Sequence, residues 1–540
     1  MDRGLVALAR DRGQVFVSWR LLQSDPADIG FNLYREDIFN HKLERVNDKP
    51  VTSSTCYLDS TLAQGTTYYY HVRPVTGGKE GPPSATFFVR AWPFNVPYVQ
   101  ILLQGNYDAH NVAVADLDGD GAYDYVIKQP DFNTDPWREP GYWRRSRDTY
   151  KLEAYSSKGK FLWRYDMGWS IEMGTWYSPY IVYDLDCDGR AELYTKAGEG
   201  DPREIDGEVV SGPEWLVKVD GSSGEVVSRI PWFSRDGFDT MSHVTRNFLT
   251  IAYLDGKRPS LIMQRGTYGI IKTGAFDASL EKIWYWEASG ENEKYQGQAQ
   301  HGLISADIDR DGRDELVIGS AALDDDGKAI WTTGLGHNDV GYVADIDQAR
   351  PGLEIFYGLE THHETGGVCL AEAESGKIIW SYQGKTTHVH SQGMVGDIDA
   401  AHPGMECYAG ESDRSQFWLY SAKGERMSDK PFGNNVLAPR AIWWDGDAQK
   451  EINCEGRIFD YNGETITEIE GRVIGIADCL GDWREEIITS LPGEIRIYST
   501  TIPTNTRRTC LMQDRQYRLG VTAASMGYFY PPQLGGVAMP

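Results

Sequence analysis

Basic surface is what this chain most plainly lacks. Its 540 residues carry 53 Lys and Arg against 79 Asp and Glu, a net charge of −26 at pH 7, and the basic residues gather into no stripe. Nucleic acids and anionic membranes are held by clustered Lys and Arg, so neither is an expected partner. No apolar run approaches the length that spans a bilayer. The opening MDRGLVALARDRG has no apolar core of a signal peptide. As written the chain reads as cytoplasmic, and as secreted or periplasmic if a leader has been removed. The seven cysteines (Cys56, Cys187, Cys369, Cys407, Cys454, Cys479 and Cys510) are odd in number and scattered, without paired metal-type spacing. They read as free core thiols in a reducing compartment. Helical periodicity is nearly absent too.

Aromatics and aspartate turns are abundant. The 17 Trp and 31 Tyr suit either sugar-stacking surfaces or a β core rich in aromatics. Eight times a strand of small residues runs into an aspartate turn and emerges on another strand. The full form reads AVADLDGDGAYDYVI, YIVYDLDCDGRAELYT and LISADIDRDGRDELVI; reduced copies include YVADIDQARPGLEIF and MVGDIDAAHPGMECY. The anchors are Asp116, Asp184, Asp255, Asp307, Asp345, Asp397, Asp445 and Asp478. A strand–turn–strand unit repeating every few tens of residues predicts an all-β fold, an eight-bladed β-propeller.

Residues 1–92 lack such turns. QVFVSWRL, GFNLYRE, CYLDS and TTYYYHVRPV are short alternating strands, and GTTYYYHVRPV resembles the late strands of fibronectin type III modules. A small fibronectin-III-like β-sandwich is expected there, with the propeller over 93–540 and its first blade opening near Tyr98. Polar insertions break the repeat at 129–150, 197–212 and 233–247. The first, with its aromatics and arginines, reads as a lid facing substrate.

In the full repeats, acids stand at positions 1, 3, 5 and 9 of one loop. They are Asp116, Asp118, Asp120 and Asp124; Asp184, Asp186, Asp188 and Glu192; and Asp307, Asp309, Asp311 and Glu315. Carboxylates two apart, a glycine for the sharp turn and a closing acid make an oxygen cage suited to Ca2+, so several structural calcium sites are expected. The reduced copies, with RPG or HPG in place of the third acid, read as turns without a full cage.

Six residues back from an anchor lies the other end of the same strand. His110, Ser178, His301 and Asp339 stand there, with His337 two residues ahead of Asp339 on the same side of an extended strand. His388 and His390 lie just ahead of the repeat anchored at Asp397. Convergent polar residues at one mouth imply a ligand site. His301, His337 and Asp339 offer nitrogen and oxygen to a second kind of metal site, which Glu360 would complete. Asn111, Lys128, Tyr177, His388 and His390 are the substrate-binding candidates.

Longer strings resemble a known family. SWRLLQSDP…FNLYRE, RPSLIMQRGTY, TTGLGHNDV, IWWDGD, LGDWREEI, RIYSTTIPT and LMQDRQYRLGV are similar to segments of the family-11 polysaccharide lyases, the rhamnogalacturonan lyases, over nearly the whole chain. The resemblance implies an eight-bladed propeller rich in bound calcium. It also implies β-elimination at the rhamnose–galacturonate bond of the pectin backbone, making an acidic polysaccharide or oligosaccharide the expected partner. The family's funnel metal falls on His301, His337, Asp339 and Glu360, and its cleft tyrosine on Tyr528 in GYFYPPQ. Two departures stand out. The family's cleft asparagine falls on His110, and its lysine-bearing NNGTK loop is replaced by YNGETITEIEGRVIG, with Glu470 and Arg472 near the missing lysine.

Elimination across C4–C5 of a uronate needs the carboxylate neutralised, a base for the C5 proton and an acid for the leaving oxygen. Neutralisation falls to the funnel metal, helped by Arg472; Tyr528 and His110 share the base and acid roles, in either order. Two alternatives stand beside this. One is a hydrolase using a carboxylate pair and water on a related rhamnose- or uronate-containing glycan. The other is a sugar-binding propeller without catalysis. If the 129–150 insertion blocks one end of the cleft, exo cleavage of short oligosaccharides is favoured.

Overall fold

Eight four-stranded antiparallel sheets account for most of the chain. The computed structural model describes residues 1–10, 13–63, 65–90, 96–134, 145–390, 393–433, 439–526 and 528–539. The sheets open on Asn111–Ala115, Tyr180–Tyr183, Asn247–Ala252, Ala299–Ala306, Asn338–Ala344, Met394–Gly396, Arg440–Ile442 and Arg472–Ala477, and each of these strands runs into one anchor aspartate. Segments such as NVAVA and YIVY are buried along their whole length. An unbroken small or β-branched run is what burial on both faces selects.

Four of the eight sheets, the first, third, fourth and fifth, are stapled to the next by one recurring contact. On the fourth strands, Trp163, Trp284, Trp331 and Trp380 donate their indole N–H to the carbonyls of Gly221, Asp325, Ala373 and Ala422, at 2.6, 2.9, 3.0 and 2.9 Å. Their rings lie against Gly224, Gly327, Gly376 and Gly424 in the following sheet, where a Cβ would come within 2.6–2.7 Å of the indole. All four glycines hold a left-handed φ as well, so no other residue fits. Part of the tryptophan surplus is thus sheet-to-sheet packing. At the ring's seam the same glycine, Gly159 of the first sheet, sits against Ile101.

That seam corrects one expectation. The strand Tyr98–Leu102 does not open the first sheet; it pairs with Glu494–Tyr498 as the outer strand of the eighth. Ring closure explains this, because a strand from before the first repeat zips into the last one. Val112 and Tyr125 of the first sheet share a core with Ile474 and Ile488 of the eighth.

The helix Arg515–Ala523 packs against the first strands of five sheets. It was not anticipated from periodicity, since RQYRLGVTA is too short and polar to signal one. Asp514 caps it by accepting from Tyr517 N–H, Arg515 pairs with buried Asp314 at 2.9 Å, and Gln516 donates to Val343 O at 2.7 Å. These contacts lie on the anchor side, while Ser525, two residues past the helix, donates to Tyr180 O at the opposite end of its strand at 2.9 Å.

Before the ring, a three-stranded and a five-stranded sheet share a core that includes Val17, Trp19, Phe31, Tyr70 and Val72. Arg20 joins them to the ring. Its buried guanidinium donates to Cys479 O, pairs with Asp2 at 2.9 Å and lies 4.8 Å from the Tyr123 ring centroid. All seven cysteines are free, six of them buried. Among the described residues no helix is long and apolar enough to cross a membrane.

Candidate functional site

At the anchor end the three full turns share one backbone form. Position 4 is left-handed in each (Gly119, Cys187 and Arg310), as is the glycine at position 6 (Gly121, Gly189 and Gly312). The anchor carboxylate accepts from the loop's own N–H groups, as Asp116 does from Gly119 and Gly121 at 2.8 Å each. The closing acid caps the residue after the anchor: Asp124 accepts from Leu117 N–H at 2.9 Å and Glu315 from Ile308 N–H at 2.9 Å. Carboxylate oxygens of Asp116, Asp118 and Asp124, of Asp184, Asp186 and Asp188, and of Asp307, Asp309 and Asp311 gather within 4.8 Å of one another. Burial, reinforced by like charges, raises Asp124 to about 7 and Glu315 to about 8. Glu315 Oε1 and Asp307 Oδ1 are buried without a hydrogen-bond partner among the described residues. The second turn differs, because Lys218 sets its ammonium 3.2 Å from Asp186 and 3.0 Å from Glu192. The reduced turn at Asp255 takes its own Arg258, at 2.9 Å.

At the mouth, two β-bulges aim the converging polar side chains. The register of Ala299–Ala306 slips between Ala299 and Ile304, and that of Asn338–Ala344 between Asn338 and Val340. Such bulges re-aim a side chain out of its alternation, here at His301 and Asp339. The result brings four predicted residues together. His337 Nε2 stands 3.4 Å from Asp339 Oδ1 and 3.2 Å from Glu360 Oε2, and His301 Nε2 stands 3.7 Å from Asp339 Oδ1.

The surroundings fit this group to a cation. His337 donates Nδ1–H to Ala299 O, which fixes the tautomer that leaves Nε2 as a lone pair. His337 Nε2, Asp339 Oδ1 and His301 Nδ1 are buried without a hydrogen-bond partner among the described residues. Burial first, then His337 and Arg246, hold His301 far below its usual range and therefore neutral. Burial would raise Asp339, but the closeness of His337, the hydrogen bond with His390 and the charge of the nearby imidazoles outweigh it and keep the carboxylate ionised.

Aromatics wall the site. Tyr528 meets His301 edge-on at 5.1 Å between ring centroids and Trp176 at 5.7 Å; Trp176 lies 4.7 Å from His301. Tyr268 shares a 3.0 Å hydrogen bond with His301 Nε2, and Tyr530 donates to Asp339 O at 2.6 Å. Arg246 stacks 4.3 Å from the Trp176 centroid. Trp176, Tyr268, Arg246 and Tyr530 were not singled out in the sequence. Tyr268 lies in the family-like RPSLIMQRGTY string and Tyr530 in GYFYPPQ, but Trp176 and Arg246 carry no local signal.

His110 belongs to a neighbouring group. It donates Nδ1–H to Asp131 at 2.7 Å, and its Nε2 lies 3.3 Å from the Thr175 hydroxyl, one residue before Trp176. Arg472 donates Nε–H to Asp131 at 3.1 Å and Nη2–H to Ala109 O and His110 O at 2.7 and 2.8 Å. The structure thus makes Arg472 a brace for this pair. Burial above all lowers His110 to about 4; Lys128 and Arg472 add to the fall while Asp131 opposes it.

The remaining candidates divide. His388 and His390 approach Glu360 and Asp339 and are half-exposed. Asn111, Lys128 and Tyr177 are buried beneath the mouth, and Lys128 donates to Ser178 O and Oγ at 3.0 and 3.3 Å. A cleft of about 540 Å3 opens beside Asp131, lined also by Phe132, Arg145, Arg147 and Met173. The central part of the expected lid, 135–144, lies outside the described residues. A smaller void of about 70 Å3, on the helix side of Tyr528 and Tyr530, is far below the size of a sugar site.

Comparison with known proteins now bears on these groups. The family model "Rhamnogalacturonan lyase family 11, C-terminal domain" matches residues 100–537, and "Rhamnogalacturonan I lyases beta-sheet domain" matches 1–92. The chain is 38% identical to rhamnogalacturonan endolyase YesW of Bacillus subtilis (strain 168), covering 98% of this chain and 90% of that protein. It is 33% identical to rhamnogalacturonan exolyase YesX of the same organism, covering 98% and 94%. The solved structure of the exotype lyase YesX superposes with a TM-score of 0.90, covering 100% of this chain and 96% of that one at 31% identity.

Proposed function

The chain belongs to rhamnogalacturonan lyase family 11 and is a polysaccharide lyase, and from that premise we propose that it cleaves rhamnose–galacturonate linkages of rhamnogalacturonan I, or of its oligosaccharides, by metal-assisted β-elimination. The hydrolase and pure binding readings are set aside by that membership. The observation that carries the mechanism is the set of buried His301, His337 and Asp339 with partly exposed Glu360, and the lone pairs left over at the mouth. A cation held there would neutralise the uronate carboxylate and so acidify the C5 proton. The fold is read in the same terms: the eight sheets as blades of a propeller over 93–540, and the sheets of residues 1–92 as a fibronectin-III-like sandwich. The oxygen-rich turns are read as structural Ca2+ sites.

The chain's own residues take the proton work. His110 is neutral above about pH 4, and its Nε2 is engaged only by a 3.3 Å contact that a substrate displaces. We assign it the base, with Asp131 holding the tautomer and Arg472 holding Asp131. Tyr528, across Trp176 from it, is left to protonate the leaving oxygen. The Arg145 and Arg147 cleft beside Asp131 would receive a further uronate.

The test is the ultraviolet absorbance of an unsaturated uronate, with rhamnogalacturonan and separately with its short oligosaccharides. A rise is expected, and its dependence on chain length reports endo or exo action. Reducing ends without a rise would contradict elimination.

A further inference from the structure

One arginine at the mouth has no anion. Arg440 opens its strand five residues ahead of anchor Asp445, much as Arg472 stands six ahead of Asp478. Its guanidinium lies 5.3 Å from the Phe529 ring centroid. Its Nε is buried without a hydrogen-bond partner among the described residues, and no carboxylate among them pairs with it. Other buried arginines are compensated: Arg20, Arg265, Arg484 and Arg515 pair with Asp2, Glu214, Asp482 and Asp314. We propose that Arg440 is a substrate-binding residue, taking the carboxylate of a galacturonate other than the one being cleaved. The identity of the sugar rests on the rhamnogalacturonan reading above; the anion site stands on its own residues.

Three observations carry it. A buried cation without a counter-ion is costly, and the face of one aromatic ring offsets only part of that cost. Burial above all lowers the pKa of Arg440 and the charge of Arg472 adds to the fall, opposed only by Tyr342 and Cys454. A guanidinium stays charged even so, and the recess therefore favours an anion.

The second observation is its place. Three consecutive residues near the C-terminus fan out across the mouth: Tyr528 meets His301 edge-on, Phe529 lies under Arg440, and Tyr530 donates to Asp339 O. Arg440 thus shares that segment with the His301, His337 and Asp339 group without belonging to it. The third is the chemistry of the substrate. A backbone of alternating rhamnose and galacturonate carries a carboxylate on every second sugar, and the planar guanidinium fork matches a carboxylate bidentately. An uncharged rhamnose cannot compensate the charge, so Arg440 also sets which of the two sugars stands there. The lysine loop is missing and Arg472 is held on Asp131, so neither supplies this cation.

Arg440→Met tests it, with Arg440→Lys beside it. In the Met variant KM for rhamnogalacturonan oligosaccharides should rise about 10- to 100-fold, the scale of a lost charged hydrogen bond, with kcat nearly unchanged. The Lys variant should fall between, since an ammonium keeps the charge and loses the fork. Removing an uncompensated charge should leave the melting temperature level or higher. A lower melting temperature at parent-like KM would make Arg440 a structural brace and overturn the proposal. A wild-type crystal soaked in saturating D-galacturonate decides without any variant. A carboxylate within hydrogen-bond distance of the Arg440 Nη atoms is expected; a bare guanidinium, with the sugar bound elsewhere or nowhere, overturns it. Absence of unsaturated product from the wild-type protein would strike the reading above instead, and the crystal would still report on Arg440.

Discussion

The two ends of the ring are joined by the same short strands, yet they satisfy their charged groups in opposite ways. At the anchor end the carboxylates draw partners largely from their own loops: Asp116 takes N–H groups three and five residues on, and Asp124 one seven residues back. At the mouth the partners come from everywhere. His301 belongs to the fourth sheet, His337 and Asp339 to the fifth, Tyr268 follows the second strand of the third, and Tyr528 comes from near the C-terminus. Both ends keep buried oxygens without a hydrogen-bond partner among the described residues, but only the mouth adds imidazole nitrogens to them, at His301 Nδ1 and His337 Nε2. Local repeats hold a ring together; only the ring as a whole assembles a reaction site. Substitutions at the two ends should therefore fail differently, one in rate and the other in stability.

The largest effect belongs to the mouth. Tyr528→Phe should lower kcat by about 1000-fold, the scale of a lost proton donor, with the melting temperature unchanged. A near-normal rate would remove Tyr528 from the reaction. The matching change at the anchor end is Arg515→Met, which leaves buried Asp314 without its 2.9 Å partner. Denaturant titration should show a loss of about 3 kcal/mol while kcat per folded molecule holds. Lost activity at full folding would mean the two ends are coupled.

A pH profile sharpens the assignment between the two groups at the mouth. His110 is lowered from 6.5 to about 4 in the folded chain. A depressed folded value contributes stability present above 6.5 and lost as pH falls towards 4. If His110 is the base, the acid limb of kcat/KM follows that lowered value. Because the Arg472 charge helps lower it, Arg472→Gln should move the limb up, and Asp131→Asn, which removes the opposing carboxylate, should move it down. A limb indifferent to both excludes His110. The smallest effect is at the sheet seams, where Trp331→Phe keeps a ring and loses the 3.0 Å bond to Ala373 O. About 1 kcal/mol of stability should go, with kinetics untouched.

How much of this the sequence disclosed follows from the same contrast. The anchor turns were legible because each is a short string whose partners are its own backbone, so Asp116, Asp184 and Asp307 could be placed by eye. The strand register then carried His301, His337 and Asp339 to one mouth by counting. What it missed depends on other sheets. The Tyr98 strand looks like a first strand until ring closure pairs it with Glu494–Tyr498. The Trp–Gly staples link residues about 40 to 60 apart, beyond any periodicity window. Arg472, expected to reach substrate, is held instead by Asp131 and two carbonyls, an arrangement fixed only when the eighth sheet meets the first. Lys128, a substrate candidate by position, turns inward because its strand is buried on both faces.

The most direct test is the initial rate of unsaturated-uronate absorbance from His337→Ala protein kept in saturating Ca2+, set against its melting temperature. His337 contributes nothing to the anchor turns, so the account predicts a rate reduced at least about 100-fold with the melting temperature near that of the parent chain. A parent-like rate from that protein would contradict the claim that elimination depends on the group at the mouth.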